Sequence, residues 1–194
     1  MKDKKYKYEI RLAGSGGQGL ITAGIILAEA AILDGKNVVQ SQSYGPEARG
    51  GSSKAEVIIS EKEIYYPKTS NPDILLSMNQ DSCDKYFNDL KSDGIFIIDT
   101  TFVKSVPTTN AFAVPITSET VKVLKREIFA NIVALGVLCE ITKVVSKKNL
   151  IKAVLNRVPE AFKKENEKAV QLGLKLGKKV VKTYVKTDEI SADE

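Results

Sequence analysis

The apolar positions of this chain change character once along its length. Up to residue 117, short apolar runs alternate with helical stretches, and beyond that point the spacing is helical throughout. Residues 8–13 predict a strand that runs into a glycine-rich turn, and residues 21–33 a helix rich in small side chains (Ala23, Gly24, Ala28, Ala30, Ala31) ended by Asp34-Gly35. Residues 37–42 predict a second strand, so that residues 8–42 form one right-handed parallel βαβ unit. Residues 54–60 predict a further strand, and Glu61-Lys62-Glu63 turns it into a short antiparallel partner at Ile64 to Tyr66, closed by Pro67. Continuous apolar runs at 73–78 and 94–98 predict buried parallel strands with a helix at 81–90 between them, followed by a short strand at 111–114.

The helical part reads as 119–125, then 128–141, which is apolar on nearly all sides and belongs inside the domain or a subunit interface. Ser146 is placed to cap a helix at 147–156, and Pro159 opens a last helix to about residue 181. The expected fold class is α/β. It is a three-layer Rossmann-like fold with a mostly parallel sheet, one antiparallel hairpin and a helical C-terminal third. No composition break divides residues 1–194, which read as a single domain with a polar, frayed tail at 186–194.

Composition narrows the function classes. A hydrophobic fraction of 43% and a charged fraction of 27% are those of an ordinary globular protein, and no apolar run reaches the ~18 residues of a membrane span. The basic N-terminus leads straight into an alternating stretch with Glu9 and Arg11, which reads as a first strand and not as a signal peptide. Cys83 and Cys139 are too far apart for a C-x-x-C pair, and the cytoplasm is the simplest compartment. The chain has no histidine, which removes the commonest general base and zinc ligand. The net charge of +5 gathers in C-terminal lysines, among them Lys163, Lys164, Lys168, Lys175, Lys178, Lys179, Lys182 and Lys186. They alternate with apolar residues and lack an aromatic platform, which favours a solvated helix face or a docking face for an acidic partner over nucleic-acid binding.

Candidate chemistry lies in two glycine-rich segments. Gly14-Ser15-Gly16-Gly17-Gln18-Gly19 matches G-x-G-x-x-G between a strand and a helix, and suits either an anion cradle at free helix N–H groups or a steric turn for close packing. A dinucleotide site also needs an acidic residue at the end of the second strand, where this chain has Gln40-Ser41-Gln42-Ser43. Asp34 precedes that strand and belongs to the opposite sheet edge. In the second segment, Tyr44, Gly45, Pro46, Gly50 and Gly51 shape an irregular loop from which Glu47 and Arg49 project. Arg49 suits a carboxylate or phosphate, or pairs locally with Glu47. Both loops follow strands and are expected at one crevice at the C-terminal sheet edge, with Asn79 and Gln80 nearby. Asn131, alone in an apolar helix, needs a hydrogen-bond partner, and Asp81 and Asp99 read as caps. No paired catalytic constellation and no metal-ligand set is present, so no catalytic residue is assigned.

The ordered set G-S-G-G-Q-G-L-I-T-A-G (14–24), S-Y-G-P-E-A-R-G-G (43–51), P-D-I-L-L-S-M-N-Q (72–80), A-N-I-V-A-L-G (130–136) and R-V-P (157–159) closely resembles the gamma subunit of the 2-oxoacid:ferredoxin oxidoreductases, most of all the 2-oxoglutarate branch. The resemblance implies a complex that converts a 2-oxoacid and coenzyme A to an acyl-CoA and carbon dioxide, with electrons passed to ferredoxin. It implies thiamine diphosphate and iron–sulfur clusters on companion alpha, beta and sometimes ferredoxin-like delta subunits. This chain has neither a thiamine diphosphate fingerprint nor iron–sulfur cysteine spacing, so it is expected to bind no cofactor alone and to shape the assembly. The rival expectation is a stand-alone nucleotide-dependent oxidoreductase using Gly14 to Gly19.

Overall fold

A computed structural model describes residues 6–42 and 52–183. Six strands form one sheet: β1 (Lys7–Ser15), β2 (Asn37–Gln42), β3 (Ser52–Ser60), β4 (Ile74–Ser77), β5 (Ile95–Asp99) and β6 (Ala111–Val114), in the order β2-β3-β1-β4-β5-β6. The helices are α1 (Leu20–Leu33), α2 (Gln80–Tyr86), α3 (Ile116–Leu124), α4 (Ala130–Thr142), α5 (Lys147–Arg157) and α6 (Lys163–Thr183). None of them is long and apolar enough to cross a membrane among the described residues.

The apolar runs of β4 and β5 are explained by cover on both faces. Ile10, Leu12, Ile74, Leu76 and Ile97 pack into one core with α1, α4, α5 and α6, while Leu75, Phe96 and Ile98 face a smaller cluster with Cys83 and Tyr86 of α2. This is the expected three-layer arrangement, with most of the apolar burial on the α1 side.

Two expectations about the sheet are corrected. β1 and β2 run in the same direction but are not neighbours, because β3 lies between them and pairs antiparallel with both: Val57 stands opposite Ile10 on one side and Gln40 on the other. Strand β3 satisfies a full ladder on each edge while Ala55, Val57 and Ile59 alternate into the core, which the βαβ pairing would have forgone. The antiparallel member of the sheet is therefore β3 itself. Ile64 to Tyr66 form no strand, and Tyr65 and Tyr66 are 87% and 60% exposed, aromatic residues with no ladder to join.

Among the helices, α3 starts three residues earlier than the periodicity predicts. The buried Asp99 carboxylate accepts the N–H of Thr117 at 3.1 Å and that of Thr101 at 3.0 Å, so it supplies the cap from across the turn. Residues 127–129 form a 3₁₀ turn, and α4 then buries every residue from Ala130 to Glu140. That burial rests on direct backbone contact with α6. A Cβ on Gly136 would lie 2.6 Å from the Val170 carbonyl oxygen and 2.9 Å from the Gly173 Cα, so only glycines allow this crossing. Ser146 caps α5 as expected, its hydroxyl accepting the Asn149 N–H at 3.2 Å.

Candidate functional site

The glycine turn leaves the C-terminal end of β1, a strand hydrogen-bonded on both edges, and enters α1. Gly19 takes the N-cap position with φ +73°, and α1 receives no side-chain cap. Its carbonyl accepts the first helical N–H, from Ala23 at 3.0 Å, and also the Asn131 amide at 3.1 Å. A Cβ on Gly19 would fall 2.5 Å from Asn131 Nδ2, so glycine is required here by conformation and by space together. The N–H groups of the first turn point out of the helix end, and no acidic residue lies in that turn.

The polar residues around the turn divide into fixed and free. Gln18 folds inward: its Oε1 accepts the Ser15 N–H at 2.8 Å and its Nε2 donates to the Met78 carbonyl at 3.4 Å. Asn79 donates to the Ser15 hydroxyl at 2.7 Å and caps α2 by accepting the Ser82 N–H at 3.0 Å, tying the ends of β1 and β4 together. Gln80 is engaged by the loop after β5, accepting from the N–H groups of Lys104 and Ser105 and donating to the Ser105 carbonyl. The amide of Asn131 is partnered by Gly19, and its Oδ1 accepts its own helix's Ile132 N–H. Gln18 and Asn131 thereby fix the turn's shape, while Asn79 and Gln80 are held by the strand ends and by the loop after β5.

A cavity of about 660 Å³ opens against this turn, bounded by Gly16, Gly17, Gly19, Thr22, Asn131 and, across from them, Thr117. Thr117 is 3% exposed, and its hydroxyl has no hydrogen-bond partner among the described residues. Sequence reasoning missed this residue because the state of its hydroxyl depends on packing and not on pattern. A smaller apolar cavity of about 290 Å³ adjoins the first, sharing Thr22, Ile128 and Asn131 and reaching Phe129 and Phe162. Arg126 covers both phenyl rings, 5.7 and 5.5 Å from their centroids. No lysine or arginine among the described residues lines the larger cavity, and Glu127 stands at it, so positive potential there comes from the helix end.

The second glycine segment, with Tyr44, Gly45, Pro46, Glu47, Arg49, Gly50 and Gly51, lies outside the described residues. Its described neighbour Ser52 pairs with Ser15 at the mouth of the first turn. The topology also removes the dinucleotide geometry. With β3 interposed, the end of β2 stands two strands from β1, about 10 Å at ordinary strand spacing, and still carries no acid.

Elsewhere, the ionisable groups are structural. Arg11, 2% exposed on β1, donates to Glu56 at 2.8 Å, pairs with Asp89 and lies over the Tyr86 ring. Burial pushes the Cys83 and Cys139 thiols up to about 11, so neither is a ready nucleophile. No cluster of metal-ligating side chains occurs among the described residues.

Comparison with known proteins agrees with this architecture. Residues 9–176 match the family model described as pyruvate ferredoxin/flavodoxin oxidoreductase. The chain is 44% identical over 181 residues to 2-oxoglutarate synthase subunit KorC of Methanocaldococcus jannaschii, covering 91% of this chain and 97% of that one. It is similar to the solved gamma subunit of keto/oxoacid ferredoxin oxidoreductase from Geobacter sulfurreducens, with 49% identity, a TM-score of 0.83 and coverage of 91% and 99% of the two chains. It also resembles part of the 2-oxoglutarate:ferredoxin oxidoreductase of Magnetococcus marinus, solved with 2-oxoglutarate, coenzyme A and succinyl-CoA bound. There the identity is 26% and the TM-score 0.76, over 95% of this chain and 32% of that one. The sequence motifs, the sheet with β3 inserted and these full-length matches together place the chain in the pyruvate ferredoxin/flavodoxin oxidoreductase family, to which it belongs.

Proposed function

We propose that the chain serves as the gamma subunit of a cytoplasmic 2-oxoglutarate:ferredoxin oxidoreductase. In this reading the assembled enzyme converts 2-oxoglutarate and coenzyme A to succinyl-CoA and carbon dioxide, and two electrons pass to ferredoxin. Companion alpha and beta subunits, with a ferredoxin-like delta subunit where present, carry thiamine diphosphate and the iron–sulfur clusters. Thiamine diphosphate, when bound there, supplies the carbanion chemistry of decarboxylation. The substrate assignment rests on the 2-oxoglutarate synthase subunits, which this chain matches over nearly their whole length.

The chain's own part is to hold an anionic group of coenzyme A against the glycine turn. The observation that carries this is the cavity at the open N-terminus of α1, where Gly19 takes the cap position and no side chain satisfies the first-turn N–H groups. A phosphate there would accept from the helix N–H groups, and the inward-turned Gln18 would keep the turn's shape. Arg49, on the segment between Gln42 and Ser52, is the cation assigned to the same ligand.

Titration calorimetry of the co-expressed complex tests this. Thr22→Asp, which sets a carboxylate at the cavity in the first turn of α1, is expected to weaken coenzyme A binding about tenfold. Unchanged affinity would sink the anion site. Reduction of viologen dye by the isolated chain with 2-oxoglutarate and coenzyme A would sink the subunit reading.

A further inference from the structure

Helix α6 has two unlike faces. Asn166, Ala169, Val170 and Leu174 are buried, while Lys164, Lys168 and Lys175 point outward along the groove that α6 makes with α3. The groove encloses about 560 Å³ and has an apolar floor of Val123, 52% exposed, and Leu172. Several other lysines are engaged: Lys163 pairs with Glu160, Lys122 with Glu119, and Lys143 and Lys147 with Glu140. Lys164, Lys168 and Lys175 make no ion pair among the described residues. Three ammonium groups against the single carboxylate of Glu167 leave the groove at +2.

From this pattern we infer that the α3–α6 groove seats an acidic segment of a companion subunit, with carboxylates opposite Lys164, Lys168 and Lys175 and an apolar side chain on Val123 and Leu172. Along α6 these lysines are spaced by one turn and then two, about 6 and about 10 Å, which matches carboxylates on one face of a helix laid alongside. Charge complementarity selects an acidic occupant, and the apolar floor selects a folded protein segment. Nucleic acid fits poorly, since Glu167 would meet its phosphates and no aromatic ring lines the groove for a base to stack on. The contact of α6 with α4 through glycine backbone fixes the backbone that carries the lysines, so only their side chains are ordered on binding.

The inference rests on the reading that the chain works inside a complex, and the test separates the two. The chain is co-expressed with the neighbouring reading frames, and lysine acylation and zero-length carbodiimide cross-linking are mapped by mass spectrometry in the complex and in the free chain. Acylation of the three lysines is expected to fall about tenfold on assembly, as for groups enclosed in an interface, and their cross-links to reach Asp or Glu of a companion. K164E/K168E/K175E is expected to fold with an unchanged Tm and to lose the companion on a column, while K164R/K168R/K175R retains it. A complex that assembles with the lysines as reactive as before, or that tolerates the charge reversal, overturns the inference and leaves the subunit reading standing. Cross-links only to Asp188 or Glu189 of the same chain, or to a second copy, overturn it as well. A chain that never co-purifies with companions removes both.

Discussion

The two ends of α1 are built on opposite principles. At its C-terminal end Asp34 accepts the Ser146 N–H and hydroxyl and the Asn149 amide, each at 2.6 Å, while Lys36 donates to the Val144 carbonyl at 2.7 Å. Side chains there clamp α1 to the start of α5. At its N-terminal end a glycine replaces the cap, the turn's one long polar side chain folds away, and a cavity opens against the helix end. One end of the helix is thus satisfied within the fold, and the other leaves its first-turn N–H groups without a side-chain partner.

The largest expected effect tests whether the open end depends on its backbone. Gly19→Ala forces a side chain into the left-handed region and against the Asn131 amide, and should cost about 3 kcal/mol by denaturant unfolding. A loss below about 1 kcal/mol would show that the turn can be rebuilt in a right-handed form. Asp34→Ala should come next, at about 2 kcal/mol, since it removes three hydrogen bonds at a part-buried clamp. It should leave coenzyme A affinity of the complex unchanged, and a parallel loss of affinity would mean the two ends are coupled.

Acid should act on the sealed side. Burial alone would raise the Asp34 carboxyl, but bonds from Ser146 and Asn149 and the charge of Lys36 hold it below its ordinary 3.8. Burial likewise works against Glu140, and Lys143 and Lys147 hold it below 4.5. Depressed carboxyls contribute stability that is present above these ordinary values and is lost as pH falls through the folded ones. Unfolding curves of the wild type and of Asp34→Asn/Glu140→Gln should therefore converge below about pH 4. Curves that stay parallel there would remove the clamp's electrostatic part. The smallest effect on stability belongs to the open side: Thr117→Val should change the Tm little or raise it, because the hydroxyl lost is an unpaired one. A clear drop in Tm would mean that the hydroxyl already has a structural partner.

Much of this fold is legible in the sequence where the signal is local. The spans of β2 and β6, the cap at Ser146 and the burial of the apolar helix at 130–140 follow from period and turn chemistry. The order of the strands does not, because β3 competes for the edge of β1 through pairings such as Ile10 with Val57, which no local window contains. High β propensity misleads at Tyr65 and Tyr66, where no neighbouring strand offers an edge. At the site, the glycine pattern locates the turn, and the ordered motifs identify the family. The inward fold of Gln18 and the solitude of Thr117 depend on Met78 and on the space beyond Asp99, which meet only in three dimensions.

The glycine crossing of α4 and α6 has a mechanical consequence. Where backbone touches backbone, no side chain can change rotamer to absorb a displacement, so the two helices move as a single bar. One end of that bar carries Asn131, hydrogen-bonded to the glycine turn, and its flank carries the lysines of the outer groove. A shift of α4 at Asn131 is therefore expected to carry α6 and its lysines with it.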